Sequence, residues 1–347
     1  MSFSFNSPSA KRIQMIRNAS TIFEMNCEPG DAVLIITDSD MDPNVWQSVA
    51  AAGHAFGCET TVMMMGDPRE YHGAAPPRPI IEASENVKIA ISNTSKEYHT
   101  GGFQLKATLE KGVGWVVMEQ VTADILASPA CDPALYREMV EVAPRLYEKL
   151  NKAGTWHITN KAGTDYTVKV REGGGKVETI KALAPYVPKK LVAFPAGEFQ
   201  GGPVQGTGEG IVMWDVSVHH PPGLLREPIK LTIEKGWVKK IEGGLEARQL
   251  KEFIKKYGNE NTYKFDIELS IGWNPNCPFT GNFRTDKKRY GKIHTAMGHS
   301  RDNSVHIDGV TSEISLTIDG KEEFVKNGII NFAPLDTWPE KYGAVSL

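Results

Sequence analysis

The sequence predicts two domains, a doubly wound α/β domain over residues 1–154 and a β-rich, barrel-like metal-binding domain over residues 155–347. Three observations carry this. A length of 347 residues suits about two domains. Short apolar runs alternate with helix-period segments through the first 154 residues. Beyond them the pattern shifts to β-like runs punctuated by Gly and Pro.

Residues 11–28 place Ile13, Ile16, Ile22 and Phe23 at helical spacing. The run AVLIITDSD, Ala32 to Asp40, is almost continuously apolar, as suits a strand of a parallel sheet covered on both faces. Asp42 and Pro43 open a second helix toward His54. ETTVMMMGD from Glu59 is the second strand, and the AAPPRP segment is a loop. A short helix at Ile80 to Ala83 leads into the third strand, NVKIAISNT. A helix from Phe103 to Lys111 precedes the fourth, VGWVVMEQ, and a longer helix from Pro133 to Ala153 closes the series.

From residue 155, TWHITNKAGTDYTVKV reads as two strands around the turn at Lys161 to Gly163. VPKKLVAFPAGE, GEGIVMWDVSV, IKLTIEKGWVKKIEGG and EISLTIDGKE continue the β pattern, interrupted by one helix from Leu245 to Tyr257. A barrel or a strongly curved sheet is the expectation.

A formal net charge of -3 gives no basic footprint for nucleic acid or an anionic membrane. Cys27, Cys58, Cys131 and Cys277 form no CxxC pair, which argues against a zinc–thiolate site and fits a reducing compartment. The N-terminus lacks the apolar core of a signal peptide, and no run of about 18 apolar residues occurs. A cytoplasmic protein is expected.

Five of the nine histidines lie between residues 219 and 306. In Ser304-Val305-His306-Ile307-Asp308, strand alternation puts His306 and Asp308 on one face, where an imidazole and a carboxylate can share a metal ion. Surface or capping residues are the alternative reading of that triplet. His294 stands in the apolar run Gly291 to Gly298, twelve residues before His306, either as a ligand or as a core histidine bonded to backbone. Glu268 interrupts the apolar run Phe265 to Trp273, where a buried carboxylate needs a partner or a metal and an edge-strand acid does not. Glu198 follows Phe194-Pro195-Ala196-Gly197 and precedes a glycine-rich loop.

These segments, in this order, resemble the aminopeptidase T family of metallopeptidases: Gly197-Glu198, Glu268 before Ile271-Gly272, Gly291 to Gly298 around His294, and His306-x-Asp308. The stretch Gly163 to Val168 is similar to that family's domain junction. The resemblance implies a homodimer and two divalent ions (zinc, cobalt or manganese) held by Glu198, Glu268, His294, His306 and Asp308. The chain also resembles a related family of ring-cleaving enzymes with one Fe(II), the 2,5-dihydroxypyridine 5,6-dioxygenases, at Leu231 to Ile254 and Ile271-Gly272-Trp273.

Two positions depart from these patterns. The tyrosine implied seven residues after His294 is Arg301, and the histidine implied before Ile-Gly-Trp is Ser270. The complete five-residue set places first a metal-dependent hydrolase that cleaves an amide-type bond in a small molecule or short peptide with a metal-activated water. In it Arg301 or His299 would steady the oxyanion or a substrate carboxylate. The alternative is an Fe(II) ring-cleaving dioxygenase using His306, Asp308 and either His294 or Glu268. A catalytically dead binding protein is the third reading, disfavoured because unpaired buried carboxylates are costly without metal.

Overall fold

The computed structural model describes residues 7–66, 74–98, 102–299 and 304–343. The chain divides into two compact units, Met1–Ala143 with Glu178–Ala196 and Pro144–Val177 with Gly197–Leu347.

Strands are numbered along the chain. In the first unit β1 (Ala32–Asp38), β2 (Glu59–Met65), β3 (Ile89–Asn93) and β4 (Gly114–Val117) are parallel. A fifth parallel strand, β8 (Leu191–Ala193), lies beyond residue 154 and completes the order β2-β1-β3-β4-β8. The apolar runs explain the burial: every residue of β3 and β4 is buried, as expected of strands covered on both faces. Leu34, Ile36, Ala90, Trp115 and Val117 form one core with Ile80 and Tyr98.

Local chemistry sets the helix limits. The helix α1 (Pro8–Asn26) starts with Pro8 in its first turn and Ser7 Oγ accepting the Ala10 N–H. Asp42 caps α2 (Pro43–Phe56) in the same way, and Gly57, at φ 96°, ends it in the left-handed region. The remaining α-helices of this series are α3 (Arg78–Ser84), α4 (Ala123–Ala127) and α5 (Pro133–Leu150). The helix expected at 103–111 is instead a π-helical stretch, Lys106–Glu110.

The second unit holds two antiparallel sheets. The larger runs β12-β11-β10-β6-β5-β16-β17-β18, from β5 (Gly154–Thr159), β6 (Asp165–Val170), β10 (Glu209–Trp214), β11 (Ile229–Glu234), β12 (Trp237–Glu242), β16 (Ser315–Ile318), β17 (Glu322–Lys326) and β18 (Ile329–Ile330). The smaller runs β15-β14-β13-β9-β7, from β7 (Lys176–Glu178), β9 (Glu198–Gly201), β13 (Glu268–Gly272), β14 (Ile293–Met297) and β15 (Ile307–Thr311). The barrel expectation is corrected here: among the described residues neither sheet closes. The outer strands are poor partners for closure. β18 has two residues and β12 turns Lys239 and Lys240 to solvent, both common ways of ending a sheet. The helix α6 (Leu245–Tyr257) follows β12 as the sequence predicts.

The smaller sheet positions the site. Strands β14 and β15 are buried at every residue, although polar residues interrupt them. Directly paired residues share a face, and so do residues two apart along a strand. Glu268 pairs with Ala296, which pairs with Asp308. Ser270 pairs with both His294 and Gln200, and Gly272 pairs with Glu198. One face therefore carries Glu198, Gln200, Glu268, His294 and Asp308, with Ser270, Gly272, Ala296 and Val310 among them. Ser270, Gly272 and Ala296 are small and leave room above the sheet. On the opposite face Gly309 lies flat against the Trp214 indole, where a Cβ would land inside the ring, and Trp214 Nε1 donates to Thr295 Oγ1 at 2.9 Å.

Candidate metal centre

The five residues singled out in the sequence as ligands converge. Glu198, Glu268 and His294 each offer an atom within 4.8 Å of the others, and so do Glu268, His306 and Asp308. Glu268 is common to both groups. His294 Nε2 lies 3.0 Å from Glu268 Oε1, and its Nδ1 lies 3.6 Å from Glu198 Oε2. His306 Nε2 lies 2.8 Å from Asp308 Oδ1 and 3.7 Å from Glu268 Oε2.

Gly197 brings Glu198 into place. Its φ of 131° and its contact with Asn274, 2.6 Å from where a Cβ would sit, admit no side chain, and its carbonyl accepts the Trp273 N–H. His306 is oriented by Nδ1, which donates to the Gly298 carbonyl at 2.9 Å. That tautomer turns the Nε2 lone pair toward Asp308 Oδ1. Two lone-pair atoms 2.8 Å apart need a cation between them, a proton or a metal. His294 Nδ1 is buried without a hydrogen-bond partner among the described residues. Buried polar atoms left unpaired in this way fit a ligand set for a divalent ion.

Charge dominates the surroundings. Burial opposes the ionised form of Glu198, but the Lys288 ammonium, with His294 and Lys287 behind it, outweighs burial and holds the carboxyl down at about 2. Burial likewise opposes ionisation of Glu268 and Asp308. His294 overcomes it at Glu268, as Lys287 and His306 do at Asp308, so both stay below the usual carboxylate range. Burial disfavours the charged form of His306, yet Asp308 and Glu268 raise it to about 9. All four shifts report one condition, a pocket that demands positive charge.

Four nearby residues carried no assignment in the sequence. Lys288 Nζ lies 2.9 Å from Glu198 Oε2, and Lys287 Nζ lies 3.2 Å from Asp308 Oδ2. Both lysines follow the short helix α7 (Phe283–Asp286), and adjacent lysines there read as an exposed pair until the fold buries them. Gln200 Nε2 donates to Glu268 Oε1 at 2.8 Å, and only its place two residues after Glu198 on a strand could have signalled this. His219 Nδ1 accepts the Asp308 backbone N–H at 3.3 Å, while the His219 ring lies 4.2 Å from Phe283.

Of the two residues expected to contact substrate, His299 exchanges hydrogen bonds through its backbone with Ser304 Oγ, 2.9 Å each way. Arg301 lies outside the described residues. Ser270, where the dioxygenase pattern implies a histidine, donates instead to Glu268 Oε1 at 3.3 Å.

Carboxylates and imidazoles gathered at one face of a buried sheet form a candidate metal site. The chain belongs to the 2,5-dihydroxypyridine 5,6-dioxygenase (NicX) family, whose model matches residues 14–331. A 2,5-dihydroxypyridine 5,6-dioxygenase of Pseudomonas putida is 24% identical over 200 residues, 52% of this chain and 55% of the relative, so that match spans about half its length. The solved 2,5-dihydroxypyridine dioxygenase of Pseudomonas putida KT2440 superposes with a TM-score of 0.73 at 17% identity, covering 94% of this chain and 99% of that one. AmpT of Thermus thermophilus superposes with a TM-score of 0.62 at 16% identity, covering 92% and 100%. Both resemblances read from the sequence are thus present. The family match reverses their order, favouring the ring-cleaving expectation over the hydrolase placed first.

Proposed function

We propose that this protein is an oxygen-dependent ring-cleaving enzyme acting on a dihydroxylated pyridine-type ring, with one ferrous ion held by Glu268, His306 and Asp308. The observation that carries the reading is the family match, which spans residues 14–331 and so includes every residue of the cluster. The ligand set is one imidazole and two carboxylates, with Glu268 in the role that the dioxygenase resemblance gives to a histidine at position 270. A ferrous ion bound there would supply the redox centre at which a hydroxylated ring and dioxygen meet.

The chain's own residues do the rest. Gln200 and Ser270 both donate to Glu268 Oε1, fixing its rotamer. The Gly298 carbonyl fixes the His306 tautomer, and Lys287 holds Asp308 Oδ2 so that Oδ1 faces His306. His219 accepts at Nδ1 and therefore carries its proton on Nε2, at the edge of the site beside Phe283.

The test is oxygen consumption by Fe(II)-loaded protein given 2,5-dihydroxypyridine. One O2 should disappear per ring opened, both atoms of 18O2 should enter the product, and turnover should stop under argon. Ring opening that continues without oxygen, or peptide hydrolysis with no oxygen uptake on any dihydroxypyridine isomer, sinks the reading and restores the hydrolase.

A further inference from the structure

The cluster contains two overlapping three-donor groups, Glu198 with Glu268 and His294, and Glu268 with His306 and Asp308. Residue count alone would allow two ions sharing Glu268. We propose that the Lys288 ammonium takes the place of a second ion, so that the centre binds one metal and Lys288 decides that number. The inference rests on the reading of this cluster as a metal centre.

Glu198 is the carboxylate that belongs to the first group alone. Its Oε2 is met by Lys288 Nζ at 2.9 Å, in a pair whose side chains are 1% and 5% exposed. A divalent ion on Glu198 would sit about 2 Å from a carboxylate oxygen. It would be pressed against the ammonium in a buried site where like charges are weakly screened. The ammonium cannot withdraw cheaply, because a buried charge that loses its partner is strongly destabilising. His294 lies beside both carboxylates, its Nε2 3.0 Å from Glu268 Oε1 and its Nδ1 3.6 Å from Glu198 Oε2, so the ammonium and the imidazole crowd the same Glu198 oxygen.

The second group is arranged differently. Lys287 engages Asp308 Oδ2, while the buried Oδ1 faces His306 Nε2 at 2.8 Å. The lysine therefore neutralises Asp308 without covering its ligand atom. Charge agrees. The three carboxylates and these two lysines leave one net negative charge, which one divalent ion turns to one positive and two ions to three positive. A single net positive charge suits an ionised ring hydroxyl. Three confined to one pocket would have no compensating partner among these groups.

The experiment is metal counting on folded, chelator-stripped protein reloaded with Co(II), read by elemental analysis and by the visible absorption of the bound ion. Wild type should bind one Co(II) per chain. Two would overturn the proposal, and none would overturn it together with the metal reading. Lys288→Met, which keeps side-chain length and removes the charge, should bind a second Co(II). The double variant Lys288→Met/Glu198→Gln should return to one. A folded Lys288→Met protein that still binds one refutes the idea. If that variant does not fold, Glu198→Gln decides. It should keep one Co(II), and loss of the ion would show that Glu198 is a ligand and overturn the proposal. Metal counts are independent of oxygen chemistry. A chain that binds one ion but never consumes O2 would defeat the function proposed above and leave this inference standing.

Discussion

Asp286 ends the helix that delivers Lys287 and Lys288 to the candidate metal centre, and it is fully buried. Burial pushes its carboxyl up to about 6, although the Thr280 backbone N–H, donating at 3.0 Å to Oδ1, favours the ionised form. From an ordinary value of 3.8, that rise corresponds to about 3 kcal/mol, a tenfold change in proton affinity being about 1.4 kcal/mol. The sign follows from linkage. The folded state prefers the neutral acid, so this group's contribution is fully present below pH 3.8 and is lost as pH rises through about 6. Asp286→Asn cannot ionise, and its amide oxygen can still accept from Thr280. The variant should match wild type near pH 3.8, gain about half of the 3 kcal/mol at pH 5, and gain all of it at pH 8. For a unit of this size that is a rise in Tm of roughly 6–12 °C at pH 8. Urea or thermal unfolding of metal-free protein across pH 5 to 8 measures it. A variant no more stable than wild type at pH 8, or a difference that does not shrink toward pH 5, would refute the burial argument.

Two further expectations concern the supports of the site. Gln200→Ala removes the 2.8 Å donor to Glu268, and metal affinity should fall about 10–100-fold with the fold intact by circular dichroism; unchanged affinity would mean Glu268 needs no such orientation. Tyr166→Phe deletes a buried 2.6 Å hydrogen bond to Asp266, whose other oxygen holds the Thr207 and Gly208 N–H groups. Denaturant midpoints should report a loss of about 1.5–3 kcal/mol, the range for bonds to a charged group, and a loss below 0.5 kcal/mol would show the bond to be replaceable by water.

The first unit was legible because its signals are local. An unbroken apolar run such as Val33 to Ile36 has few uses other than a covered parallel strand. The strand Leu191–Ala193 was read as part of the β-rich region, since a three-residue run says nothing about which sheet accepts it. The barrel was over-read for a similar reason. Alternation shows that strands have one buried face, but closure depends on the pairing of the outermost strands, which no residue pattern records. In the site, His306 and Asp308 needed only the two-residue period of a strand. That Glu268 and Asp308 lie in one row across Ala296 is a fact of register, which sequence spacing does not contain. Lys287 and Lys288 were invisible because a lysine pair after a short helix normally faces water, and only the packing of α7 turns it inward.

The fold does not choose between the two chemistries. This chain superposes at 17% and 16% identity on a dioxygenase and on AmpT, so the fold is common ground and the reaction has to be argued from the site. Four donors on the sheet, with His306 directly before β15, set what the pocket could hold. On the inference above, the charges pressed against them would set how many ions it takes. A hydrolase that activates water between two ions needs both three-donor groups free of competing cations. In this chain one group has a buried ammonium on the carboxylate that belongs to it alone, while in the other Lys287 meets Asp308 Oδ2 and leaves Oδ1 facing the imidazole nitrogen at 2.8 Å. On this reasoning, a relative with the same five donors and a neutral residue at the position of Lys288 would regain room for the second ion. Function would then turn on one lysine behind the ligands, even with every ligand in place.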